Sequence, residues 1–131
     1  MTDPVVLDSS VFKFGDFLYW LSGYHGDKIL PAVAYTEISI WLAVKKGRSR
    51  ESIHQLLRRS DITIEYYTPQ IAWNAVLFGK EFGDFPDHAR DYMIAAHAYT
   101  APRMVITENK RDFIFLSPRV MDPYEFMDSM K

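Results

Sequence analysis

The chain has 131 residues, with 15 Lys and Arg against 17 Asp and Glu, and no cysteine. That length suits one domain with a single sizeable core, and a hydrophobic share of 48% beside 24% charged residues excludes a disordered or fibrous chain. A net charge of −2 excludes the bulk basic excess that draws proteins indiscriminately onto nucleic acid, so any such contact must be local, and the lack of cysteine excludes disulfides, thiolate zinc sites and thiol nucleophiles.

Met1-Thr2-Asp3-Pro4 and the short apolar run after it lack the basic start and roughly 7 to 15 apolar residues of an export signal. The longest apolar stretch, from Ile29 to Val44, is interrupted by Glu37 and is shorter than the ~20 residues of a membrane span. A cytoplasmic protein without a membrane partner is the expectation.

Val5-Val6-Leu7 is a continuous apolar run that suits a strand buried on both faces of a parallel sheet. Asp16 to Ser22 carries Phe17, Leu18, Trp20 and Leu21 between Gly15 and Gly23, the pattern of a short helix. Lys28-Ile29-Leu30 reads as a second strand. Pro31 to Lys46 has no breaker and ends in two lysines before Gly47, which predicts a helix with cations at its negative end. Ser49 to Arg59 predicts a surface helix, with Ser49 as cap and Ile53, Leu56 and Leu57 on one face. Ile62 to Tyr67 is rich in branched and aromatic residues and predicts a third strand. Helices over Pro69–Phe82 and Asp87–Tyr99 follow, then a strand over Met104–Thr107 and a short fifth at Val120–Met121. Strands alternating with helices predict a three-layer α/β/α fold around a central parallel sheet of four to five strands, in one domain.

In an open parallel sheet, ligands bind beyond the carboxyl ends of the strands. Asp8 directly follows the first strand, and Asn109 and Asp112 lie just past Thr107 at the end of the fourth. Crossover helices run antiparallel to the strands, so Glu37 and Asp91, in the early turns of their helices, belong to the same rim. Asp91 is in helical register with Ile94, Ala95 and Ala98, and Glu37 with Ile40, Trp41 and Val44, so each is expected to head a buried stripe. Carboxylates packed together repel unless a positive charge compensates them. With oxygen ligands only, magnesium or manganese is the expected compensation.

Four pieces of the chain, Val-Val-Leu-Asp8-Ser-Ser-Val, Tyr35-Thr36-Glu37-Ile38, Arg90-Asp91-Tyr-Met-Ile-Ala95-Ala96 and Val105-Ile-Thr107-Glu-Asn109-Lys-Arg-Asp112-Phe113, resemble the PIN-domain ribonucleases, and among them the VapC-like toxins of toxin–antitoxin pairs. The resemblance runs over essentially the whole length. It implies an acidic cluster of Asp8, Glu37, Asp91 and Asp112 holding Mg2+ or Mn2+, hydrolysis of RNA phosphodiester bonds, a homodimer, and an antitoxin partner. A metal on Asp8, Glu37 and Asp91 would lower the pKa of its water for in-line attack on phosphorus. A second metal would lie on Asp8 with Asp112 or Asn109, and Ser10 and Thr107 would orient ligands. Where many family members carry Asp, this chain has Asn109. Two rival readings stand beside the toxin: an inactive PIN fold used as a protein-binding module, and an RNA-processing nuclease that is not a toxin. Trp41, Trp73 and Phe78 are expected in the core, with a dimer or antitoxin surface as the alternative for such aromatics, and the four histidines, His25, His54, His88 and His97, at the surface or partly buried. Arg90, Lys110 and Arg111 are candidates for RNA-backbone contacts.

Overall fold

The computed structural model describes residues 2–131. Five strands, β1 (Val5–Leu7), β2 (Lys28–Pro31), β3 (Ile62–Glu65), β4 (Met104–Ile106) and β5 (Val120–Met121), form one sheet in the order β3-β2-β1-β4-β5. Every pairing is parallel, with Val5 opposite both Lys28 and Met104 and Leu7 opposite Ile106. The central strand is the one with the unbroken apolar run, and Val5, Val6 and Leu7 are fully buried. Connections run outward from β1 on both sides, and right-handed crossovers therefore place helices on both faces. The three-layer α/β/α architecture and its five-stranded parallel sheet are as the alternation of elements predicts.

The helices are α1 (Gly15–Leu21), α2 (Ala32–Ile40), α3 (Arg50–Arg59), α4 (Pro69–Phe82), α5 (Phe85–Ala95) and α6 (Pro123–Ser129). Ser49 caps α3 by accepting from the Ser52 N–H, and Thr68 does the same for α4 at Ile71. The predicted Pro31–Lys46 helix is α2 continued by a wider π-helical turn, Trp41–Lys45, after which Gly47 reverses the chain at a φ of 66°. Short 3-10 helical segments follow β1 (Ser9–Lys13) and β4 (Lys110–Leu116). Among the described residues, no helix is long and apolar enough to cross a membrane.

Three sequence expectations are corrected. The row of α2 that meets the core is Ala34, Ile38 and Leu42, one residue on from the one expected, so Ile40 and Val44 are exposed and Glu37 sits on the flank of the buried face. A helix apolar all round carries no periodic signal from which that register can be read. Trp73 is exposed, although Phe78 on the same helix is buried. His97 is fully buried, where a surface or partly buried position was expected. By contrast, Ile94, Ala95 and Ala98 form the fully buried stripe expected beside Asp91.

Helix α6 went unforeseen although Asp122-Pro123-Tyr124-Glu125 carries its start signal: Asp122 and Glu125 form a reciprocal capping box with proline in the first turn. It buries Phe126, whose ring meets Trp20 and Tyr24 at 5.6 and 5.2 Å. Replacing Phe126 by Ala removes a fully packed ring and is expected to destabilise the fold by about 3–5 kcal/mol, measured by urea unfolding.

Away from the rim of interest, Glu65 ties β3 to the segment before β4, accepting from His97 Nδ1 at 2.7 Å and Arg103 at 2.8 Å. With Nδ1–H directed at Glu65, the buried Nε2 carries a lone pair that meets no partner among the described residues. Burial pushes the His97 pKa below 6.5, against the raising pull of Glu65 and with help from the Arg103 charge. Burial pushes Glu65 up, but Arg103 and His97 outweigh it and hold the carboxyl below its ordinary 4.5. Both depressed groups favour the folded state above their unfolded values, and that contribution is lost as pH falls through the folded ones. Between pH 7 and 5 only His97 crosses its unfolded value, so stability falls across that window with a slope of at most ~1.4 kcal/mol per pH unit. Urea midpoints of His97→Gln against pH should show that slope flattened.

Candidate active site

Asp8 leaves the carboxyl end of β1 next to β4, where its N–H donates to the Ile106 carbonyl at 3.0 Å. This is the position at which the strand order reverses direction, and the loops after β1 and β4 part there to leave a crevice. The Asp8 side chain is fully buried and does not cap the turn that follows it. Its Oδ2 accepts from Ser10 Oγ at 2.7 Å and from Thr107 Oγ1 at 2.8 Å. Those hydroxyls in turn accept from the backbone N–H groups of Glu108 and Asn109, each at 3.0 Å. Both candidate supporting residues thus hold one oxygen of Asp8 in place, and the loop after β4 holds them.

The other oxygen of Asp8 faces Arg90. This guanidinium, on α5, reaches Asp8 Oδ1 at 2.5 Å, Glu37 through a two-pronged contact at 2.8 and 2.8 Å, Asp91 Oδ1 at 3.2 Å and Ser9 Oγ at 3.0 Å. Three of the expected acids, from β1, α2 and α5, therefore meet around a single group. That group is a protein cation. Burial works against the charge on Arg90, but the hydrogen bonds and charges of Glu37 and Asp8 outweigh it and raise its pKa further above the ordinary value. Arg90 was expected only as a contact for RNA backbone.

Asp91 is buried, and α5 is kinked at His88, whose backbone is non-helical (φ −125°, ψ 16°), so Asp91 stands in the first turn beyond the kink. Burial raises its pKa above 3.8 and the neighbouring Asp112 charge adds to that, while hydrogen bonds from Arg90 and His88 pull it down. His88 Nδ1 stands 3.5 Å from Asp91 Oδ2. Asp112 is therefore near enough to be felt, but its side chain and that of Asn109 are exposed and make no hydrogen bond to the cluster among the described residues. Among those same residues, no three His, Asp or Glu side chains stand close enough together to share a metal ion as they are. The guanidinium between them is the physical reason.

A cavity of about 290 Å3 opens beside the cluster, lined by Ser9, Ser10, Lys13, Glu37, Ile38 and Trp41. Lys13 pairs with Glu108 across its rim, bridging the loops after β1 and β4. No family model matches the chain, and no curated protein does. The geometry of this rim is thus the ground for any functional reading.

Ser9, Lys13 and His88 join the site without having been picked out in the sequence. His88 had a usable signal in its spacing of three residues before Asp91, although its backbone departs from the helix at a kink. Arg90 had none, because adjacent helical residues point in different directions and only the length of the side chain brings its head back over Asp91. Thr107 is fully buried, and its hydroxyl serves both Asp8 and the Asn109 N–H. Thr107→Val takes one of its donors from buried Asp8 and the acceptor from the Asn109 N–H, and is expected to cost about 1–3 kcal/mol in chemical denaturation, with Thr107→Ser recovering most of it.

Proposed function

We propose that the chain is a metal-dependent endoribonuclease that hydrolyses phosphodiester bonds in RNA, acting as the toxin of a toxin–antitoxin pair. The observation that carries this reading is the convergence of Asp8, Glu37 and Asp91 on one cation at the switch point of a parallel sheet. All the atoms around that cation are carboxylate and hydroxyl oxygens, the donor chemistry of Mg2+ or Mn2+ and not of a softer metal. Asp8, Glu37 and Asp91 would hold the ion, with Asp112 or Asn109 at a second position.

Bound there, a divalent ion supplies a Lewis acid that lowers the pKa of water and offsets negative charge on the phosphate. The chain's own residues do the positioning. Ser10 and Thr107 hold Asp8 in one orientation, so that its second oxygen faces the crevice. Lys13, exposed at the rim of the cavity, and Arg111, exposed in the segment after β4, are the cations that an RNA backbone would meet. Lys110, a third candidate for that role, is instead paired with Glu125 at 2.7 Å. The antitoxin and homodimer belong to the same proposal, supported by large apolar side chains left exposed at Ile40, Val44 and Trp73.

One observation favours the rival of a protein-binding module without catalysis, namely that the acids are spread around a guanidinium. Cleavage of single-stranded RNA separates the two. The nuclease reading expects cleavage in Mg2+ or Mn2+ that stops with a chelator and falls by about 100-fold or more in Asp8→Asn and Asp91→Asn, beyond the effect of losing an outer-shell partner. Equal rates in those variants, or no cleavage by the wild type in either metal, favour the rival.

A further inference from the structure

We infer that Arg90 is a built-in counter-cation of the acidic pocket, and that a divalent ion enters only as this guanidinium swings out. The inference rests on the metal reading above and concerns how that site is regulated. The oxygens that would ligate an ion are the ones Arg90 already uses: Oδ1 of Asp8, both carboxylate oxygens of Glu37 and Oδ1 of Asp91. Its hydrogen bonds hold them 2.5 to 3.2 Å from nitrogen atoms spread over a planar fork. A magnesium ion draws its oxygens to about 2.0–2.1 Å from one point. The two arrangements need the same oxygens at different places, so they exclude each other.

Charge favours the exchange. Three carboxylates against one guanidinium leave the pocket with a surplus of negative charge, which a doubly charged ion reduces further than Arg90 does. The exit is short, because the Arg90 side chain is 37% exposed. Beside it, the cavity between Glu37, Lys13 and Trp41 offers room for the displaced side chain. In the metal-free protein Arg90 thus keeps Asp8, Glu37 and Asp91 assembled, and the same contact weakens the apparent affinity for metal by the fraction of time the pocket is free.

Mn2+ binding by the full chain, measured by calorimetry and by the electron spin resonance of free Mn2+ without RNA, tests this. Arg90→Met is expected to bind Mn2+ at least about tenfold more tightly than wild type, the factor for a guanidinium seated in nine molecules of ten. Arg90→Lys, which keeps the charge but lacks the planar five-donor fork that spans three acids, should fall between them. Lys80→Met, which removes an exposed positive charge on α4 and no group of the pocket, should bind as wild type does. Without metal, Arg90→Met should melt lower than wild type, and Mn2+ should raise its Tm by the larger increment. Equal Mn2+ affinity in wild type and Arg90→Met, or an equal gain in Lys80→Met, overturns the gate and leaves the metal site standing. Absence of Mn2+ binding in wild type and in the Arg90 variants overturns the metal reading together with the gate. If Arg90→Met does not fold, Arg90→Lys decides: tighter binding than wild type supports the gate and unchanged binding overturns it.

Discussion

Anionic side chains from distant parts of a chain do not share a buried rim unless something positive sits among them. Here that role falls to one guanidinium, which touches Asp8 at the end of β1, Glu37 on α2 and Asp91 beside it on α5. Asp8 has no access to solvent, so its charge is tolerable only with Arg90 on one oxygen and two hydroxyls on the other. Taking one partner from such a buried pair leaves the other charge unpaired, a loss of about 3–5 kcal/mol in comparable cases. The contact therefore joins a strand and two helices mechanically as well as electrostatically.

The fold makes that meeting possible through the order of its strands. Because β1 is central and the chain leaves it first to one side and then to the other, the loops after β1 and β4 diverge. The crevice between them is lined by whatever follows each strand. On one side that is Asp8 with Ser9 and Ser10, on the other Thr107 with the N–H groups of Glu108 and Asn109. The hydroxyls bridge the gap and set the direction in which Asp8 points. A carboxylate aimed by a relay of this kind has little freedom to follow a ligand, so adjustment on binding falls to Glu37 and Arg90, the more exposed partners.

Much of this was legible in the amino-acid order. The unbroken run Val5-Val6-Leu7 marks a strand buried on both faces, and it is the centre of the sheet. The Ile94, Ala95 and Ala98 stripe placed Asp91 at a buried helix face, because that helix alternates polar and apolar residues with a clear period. For α2 the same reasoning failed: its residues are apolar on every side, so Glu37 could be assigned to the right rim by position but not to the right face by pattern. His97 was misplaced for a related reason, since its burial depends on Glu65 and Arg103, which are distant in sequence and carry no local signal.

The sequence by itself determined the alternation of elements, the parallel sheet and the delivery of several acids to one edge, because local hydrophobic pattern and strand polarity act over a few residues at a time. Only the tertiary structure decided what those acids meet. Arg90 reaches Asp8 across 82 positions and Glu37 across 53, and a long side chain chooses its partners from everything within its radius, not from its neighbours in the chain. Pairing at that range is set by how strands and helices pack around the crevice, where charge and space, not sequence spacing, select the contact.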